Sequence, residues 1–407
     1  MPKLLQINVT SNWGSTGKIA EQIGQCAIRH GWESYVAYGR MHNPSQNKTI
    51  RIGSMTDVYL HYAEQRIFDN EGLASRRATR KFLSVIDDIK PDIVHLHVIH
   101  DHYLNYRLLF KYLTEKKIPV VWTQHDQWAT TGHCMYTPDN CERWKIECHD
   151  CPLGNEYPKT VADRSLKNFR LKKDLMTALP SLTIVPVSNW LGDNIKQSHL
   201  KNHRIEVIHN GIDVEIFSPH NVDVHKRYGI ESKKQIVLAV ASIWEKRKGL
   251  PDVLKLATLL NNKEFAIVVV GKITEKPNTP SRGCQIVFVD RTQNAKELAE
   301  LYSSALVFIN PTYQDNFPTV NLEALACGTP VITYRTGGSP EAVDSKTGIV
   351  VEQGDVEAMA SAIRKIKENP LSSNDCRAKA VSEFDKNICF EKYIQLYNDI
   401  INNIGNK

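Results

Sequence analysis

NPTYQDNFPTVNLEALACGTPVITYRTGGSPEAV, residues 310–343, is the stretch whose reading decides the fold. It reads as a strand end, a polar loop, a helix, a Gly-Thr-Pro turn, a second strand and a glycine-bearing loop. A helix bridging two buried strands makes them parallel neighbours, because the crossover returns the chain to the same end of the sheet. Upstream, KKQIVLAVASIW, FAIVVVGK, CQIVFVD and ALVFINP are short apolar runs separated by helical stretches. Continuous apolar runs, rather than alternating ones, predict strands covered on both faces.

The first half repeats the pattern. MPKLLQINV reads as a strand, SNWGSTGKIAEQIGQCAIRHG as a glycine turn and an amphipathic helix ending at Gly31, and SYVAYG as a second strand. FLSVIDDIKPDIVHLH, YRLLFKYLTEKKIPVVWTQH and SLTIVPVS continue the alternation, and IEVIHNGIDVEIFSP reads as a strand, a turn and a connection. With 407 residues the chain exceeds one ordinary core. The reading gives an N-terminal domain over 1–206 and a C-terminal domain over 207–387. The closing helix, 388–404, carries FEKYIQLYNDIINNI and either caps the second sheet or crosses back to the first. Two such α/β domains would face a central cleft at the carboxyl ends of their strands.

Residues 1–206 hold 27 Lys plus Arg against 21 Asp plus Glu, and residues 207–407 hold 24 of each, so the +6 excess lies in the first half. Arg76, Arg77, Arg80 and Lys81 form its densest cluster, at helical spacing, and predict contact with an anionic membrane surface as an alternative to a solvated face. So modest an excess gives no reason to expect nucleic acid. No apolar run reaches about eighteen residues, which predicts a cytoplasmic protein without signal peptide or membrane span.

Residues 310–343 resemble the donor-binding core of family 4 retaining glycosyltransferases, and the likeness extends over nearly the whole chain. HLHVIHDHYLNY, residues 95–106, is similar to a subgroup from exopolysaccharide clusters such as colanic acid synthesis. The resemblance implies the GT-B fold, two Rossmann-like parallel-sheet domains. It also implies transfer of a sugar, with retention, from a UDP- or GDP-linked donor to a glycan or glycolipid acceptor in surface polysaccharide synthesis. Glu323 would accept hydrogen bonds from the ribose, and Asp315 would face the donor sugar. Lys248 and Arg247 would bind diphosphate, the loop at Gly14 would approach donor and acceptor, and His125 would lie near the sugar.

Backbone groups at Phe317, Pro318, Thr319 and Val320 independently suit a diphosphate, since a helix start offers unpaired N–H groups, and Gly337 and Gly338 could add more. Two departures stand out. The family more often has Glu where Asp315 stands, and its Arg about five residues before Arg247, where this chain has Ala241, Ser242 and Ile243. A nucleotide-sugar epimerase, a sugar phosphorylase and a silent nucleotide-sugar-binding partner remain alternatives. No Asp-x-Asp occurs, so no metal is expected to be required for catalysis.

His95, His97, His100 and His102 read as an acceptor-side surface, with a metal site as the lesser alternative. Cys134, Cys141, Cys148 and Cys151 fall within eighteen residues and include a C-x-x-C pair. Four thiolates at that density can close a structural zinc site; disulfides and free thiols are the other readings.

Overall fold

The computed structural model describes residues 1–138, 141–273, 277–278 and 280–405. The chain forms two compact units, Met1–His209 with Phe390–Lys407, and Asn210–Cys389.

In the first unit the sheet comprises β1 (Lys3–Asn8), β2 (Glu33–Tyr38), β3 (Lys48–Arg51), β4 (Ile93–Leu96), β5 (Val120–Gln124), β6 (Leu182–Pro186) and β7 (Arg204–Ile205). Their order is β3-β2-β1-β4-β5-β6-β7, and every pairing is parallel. β4, β5 and β6 are buried along their whole length, although His95, Thr123, Gln124 and Thr183 interrupt their apolar runs. The segment IEVIHNG yields only the two-residue β7 before leaving the sheet.

The second sheet comprises β8 (Gln235–Trp244), β9 (Phe265–Ile273), β10 (Gln285–Val289), β11 (Val307–Asn310), β12 (Val331–Tyr334) and β13 (Gly348–Val351). It too is parallel, in the order β10-β9-β8-β11-β12-β13. Its core packs Val237, Ala239, Ile267, Val269, Ile309 and Ile332 against helix residues such as Val253, Leu256 and Ile363.

The closing helix, Lys386–Gly405, returns to the first unit. There Tyr397 Oη bonds His95 Nδ1 at 2.6 Å and Tyr393 Oη bonds Thr123 at 2.9 Å, both in the core. Among the described residues no helix is long and apolar enough to cross a membrane.

In each sheet the order reverses once, between β1 and β4 and between β8 and β11. At such a reversal the loops leave the carboxyl ends in opposite directions and open a crevice, where α/β sheets bind ligands. The two reversals therefore direct attention to the loops after β1, β4, β8 and β11.

Candidate functional site

In the second unit the loop after β8 turns through a 3-10 segment, Lys246–Lys248, into the helix Leu250–Leu259. Gly249 joins them at φ +73°, and a Cβ there would stand 2.0 Å from the Pro311 carbonyl oxygen. Only glycine permits this approach, which brings the loops after β8 and β11 into contact. Tyr313 N donates to the Arg247 carbonyl at 2.7 Å, and Arg247 Nη1 donates to the Gln314 carbonyl at 3.2 Å. Lys248 Nζ thereby reaches Asp315 Oδ2 at 2.6 Å, with both side chains less than one-fifth exposed. The cation expected at the diphosphate and the carboxylate expected at the sugar are thus one ion pair. Arg247 also pairs with Glu245, at 3.1 Å.

The helix Thr319–Ala326 follows. Its N-cap is Pro318, which supplies no side-chain cap and has no N–H, so the expected donors reduce to Phe317, Thr319 and Val320. Phe317 is buried, with its ring 5.8 Å from that of Phe384. Among the described residues the Thr319, Val320, Gly337 and Gly338 N–H groups donate to no protein acceptor. Gly337 adopts φ +52°, in the loop that leaves β12. Unpaired N–H groups at a helix start carry partial positive charge and suit an anionic ligand.

Glu323 lies one turn into this helix, half-buried, and accepts a hydrogen bond from Tyr302 Oη at 3.1 Å. Two positioning residues escaped the sequence reading. Tyr302 is one. The other is Asp252, whose Oδ2 accepts from both Tyr313 and Tyr334 at 2.7 Å and so ties together the loops after β8, β11 and β12. Neither carried a motif, since a tyrosine on an apolar helix face and an acid in a first helical turn are ordinary features.

In the first unit Gly14 opens the helix Gly14–Arg29 at φ +66° after β1; the helix has no side-chain cap and no acid in its first turn. His125, at the end of β5, stacks on His97 and bonds it, Nε2 to Nδ1, at 3.2 Å. Burial holds the His125 imidazole down at about 4, so it is neutral at physiological pH. A neutral ring can donate one hydrogen bond and accept another.

The four histidines read as a surface are instead buried. His95 bonds Thr123 at 2.8 Å, His97 bonds Gln6 at 3.0 Å, and His100 bonds Asp126 at 2.9 Å. His102 lies between Glu71 at 2.9 Å and Asp101 at 3.5 Å. Burial opposes a charge on His102, yet Asp101 and Glu71 together hold it at about 9. These rings form the polar core beneath the loop after β4, where each nitrogen bond orients a neighbouring side chain. Among the described residues they make no trio of metal-ligand atoms within 4.8 Å of one another.

The basic cluster also divides. Arg76 and Arg80 line a cavity of about 380 Å³ with Arg107, Lys111, Arg164 and Lys167, and no acidic side chain lines it. Arg77 and Lys81 act instead on Asp57.

Residues 17–216 match the family described as Glycosyltransferase Family 4, and residues 222–382 match Glycosyl transferases group 1. The chain belongs to the family 4 glycosyltransferases. Over 375 residues it is 27% identical to the colanic acid biosynthesis glycosyl transferase WcaC of Escherichia coli (strain K12), covering 87% of this chain and 88% of that one. Its fold is that of sucrose-phosphate synthase from Thermosynechococcus elongatus, with TM-score 0.72, 18% identity, and 98% and 99% of the two chains covered. HepE of Anabaena, solved in complex with UDP-glucose, aligns over 100% of both chains with TM-score 0.64 and 13% identity. The fold is therefore GT-B, with two Rossmann-like parallel-sheet domains. Lys248, Asp315, Thr319, Val320 and Glu323, the residues that the sequence led us to expect at a donor, gather at the reversal of the second sheet.

Proposed function

We propose that this glycosyltransferase moves a sugar, with retention at the anomeric carbon, from a UDP- or GDP-linked donor to a surface-polysaccharide or lipid-linked acceptor. The observation that carries the reading is the Lys248–Asp315 pair at 2.6 Å, beside the helix start whose Thr319 and Val320 N–H groups are unpaired among the described residues. An ammonium group has three donors. Lys248 can therefore keep Asp315 while donating to a diphosphate, and Asp315, fixed by that bond, can accept from a sugar hydroxyl. Glu323, held by Tyr302, accepts from the ribose. His125, neutral, bonds a sugar hydroxyl without adding charge. Arg247, Gly337 and Gly338 complete the diphosphate site.

In the transfer the bond from the anomeric carbon to the phosphate oxygen breaks, and a bond to the acceptor oxygen forms on the same face. The acceptor proton passes to the departing phosphate oxygen. Charge grows on the leaving diphosphate, so Lys248 and the helix N–H groups stabilise the transition state more than the ground state. No metal enters this scheme. WcaC, the relative of similar length, takes its name from colanic acid biosynthesis, which favours a polysaccharide acceptor.

The cavity lined by Arg80, Arg107, Lys111 and Lys167, none ion-paired among the described residues, suits anionic lipid headgroups or a lipid-linked phosphate at a membrane face. The functional reading is tested by incubating the protein with UDP- and GDP-sugars and a lipid-linked acceptor extract, then following the anomeric proton of the product. A product with the donor's anomeric configuration supports it. Nucleotide-sugar epimerisation without transfer, an inverted product, or binding with neither hydrolysis nor transfer would overturn it.

A further inference from the structure

Between Thr131 and Ser165 the described chain forms one regular element, the four-residue helix Arg143–Ile146. A segment with so few backbone ladders needs another source of order. Trp144 and Cys134 are nonetheless buried within it. Cys134, Cys141, Cys148 and Cys151 all line one cavity of about 20 Å³, which is room for a single small ion or water. All four are free thiols. Their sulfurs stand more open than around a bound metal, since among the described residues no three lie within 4.8 Å of one another. Zinc–sulfur bonds of about 2.3 Å would draw them in, to roughly 3.8 Å apart.

A further observation concerns the charge around these sulfurs. Beside them lies Lys172, fully buried, whose Nζ bonds only the Trp128 and Thr131 carbonyls, at 2.7 and 3.0 Å. No carboxylate lies within ion-pair distance of it among the described residues, but Cys134 and Cys148 lie within Coulomb range, as do Asp69 and Asp126 beyond them. The Lys172 Nζ also stands 3.6 Å from the centre of the Trp128 ring; burial favours the neutral amine, and a dianionic metal–tetrathiolate centre would favour the charged form.

We propose that Cys134, Cys141, Cys148 and Cys151 bind one structural zinc ion, with Lys172 as its buried counter-cation. Zinc(II) and four thiols give the tetrathiolate dianion and four protons. Four sulfurs leave no open position, so the ion braces the segment and takes no part in transfer. The brace reaches the end of β5, because Gln127 N donates to the Met135 carbonyl at 2.9 Å and Thr137 N donates to Gln127 Oε1 at 2.8 Å. Cys26, His30 and Glu391 form the trio that does lie within 4.8 Å, but the His30–Glu391 pair at 3.2 Å accounts for it.

The test is elemental analysis of the full chain purified under reducing conditions without added metal. We expect one zinc per chain, with four thiols that react only after chelation. Cys148→Ser with Cys151→Ser should abolish retention, and Lys172→Gln should weaken zinc affinity about 10- to 100-fold. If the double variant fails to fold, cobalt added to the chelated parent reads the site directly, through thiolate-to-cobalt charge-transfer absorption of a tetrahedral centre. Four reactive thiols without metal, four blocked thiols without metal, or zinc that is lost in Cys26→Ser but kept in the double variant would each overturn the proposal.

Discussion

Replacing Lys248 by Met separates the two roles that its 2.6 Å pair with Asp315 combines. Met keeps the stem and removes the charge, leaving the Asp315 carboxylate, with only 16% of its side chain exposed, without its cation. A fully buried pair broken on one side costs about 3–5 kcal/mol, and this one retains some water, so we expect about 1–3 kcal/mol lost from the second unit. Adding Asp315→Leu removes the orphaned charge and should restore most of that stability. Activity should not follow. A preorganised donor to developing negative charge contributes about 2.7–4 kcal/mol, so kcat in Lys248→Met should fall about 100- to 1000-fold, and in the double variant at least as far. The affinity for UDP should fall much less, because leaving-group charge peaks in the transition state. The assays are release of nucleoside diphosphate under saturating donor, calorimetry with UDP, and hydrogen exchange over residues 210–389. A rise in KM at unchanged kcat would refute the transition-state role. Recovery of turnover in the double variant would refute it equally, by showing that Lys248 serves only to neutralise Asp315.

Glu323→Ala should raise the Kd for the matching nucleotide about 10- to 150-fold, the loss of charge-assisted hydrogen bonds of about 1.5–3 kcal/mol; unchanged calorimetric affinity would exclude the ribose contact. Tyr302→Phe, which removes the 3.1 Å bond orienting that carboxylate, should raise it by a smaller factor. His102 links stability to pH. Its folded value of about 9 lies above the ordinary 6.5, so its contribution is complete below pH 6.5 and is lost as pH rises through 9. Its full size is about 3 kcal/mol, and hydrogen exchange around β4 should accelerate over that window in the parent but not in His102→Gln. Vesicles containing anionic lipid should sediment the protein at low salt and release it as ionic strength passes about 0.15 M, where the Debye length is about 8 Å. Replacing Arg80, Lys111 and Lys167 by Glu should abolish this, whereas replacing Arg77 and Lys81 should have less effect; binding indifferent to lipid charge would remove the membrane role.

The sequence by itself determined both parallel sheets, because strands buried on two faces are predominantly apolar without alternation, and β4, β5, β6, β11 and β12 read that way. It also singled out the 310–343 loops, since a polar turn between a buried strand and a helix is a local pattern. What it left open depends on which distant segments meet. The edge strand β3 was missed, its residues being mostly exposed and without apolar periodicity. The closing helix could have capped either sheet, and the tertiary structure seats it in the first unit, where Tyr393 and Tyr397 bond Thr123 and His95. His95, His97, His100 and His102 looked like a surface because histidine is polar; they are buried where acids, carbonyls and hydroxyls from other elements come within bonding or ion-pair distance. Arg76 and Arg80 were legible as one helix face, but their cavity partners Arg107, Lys111, Arg164 and Lys167 come from later segments. Lys248 and Asp315 were legible as two separate loop residues, sixty-seven positions apart. Their pairing follows from the order β8-β11, which sets two loops side by side, and from Gly249, which lets the backbones touch. Periodicity is a property of neighbouring residues, whereas the partner of a side chain is fixed by sheet order, which no local pattern encodes.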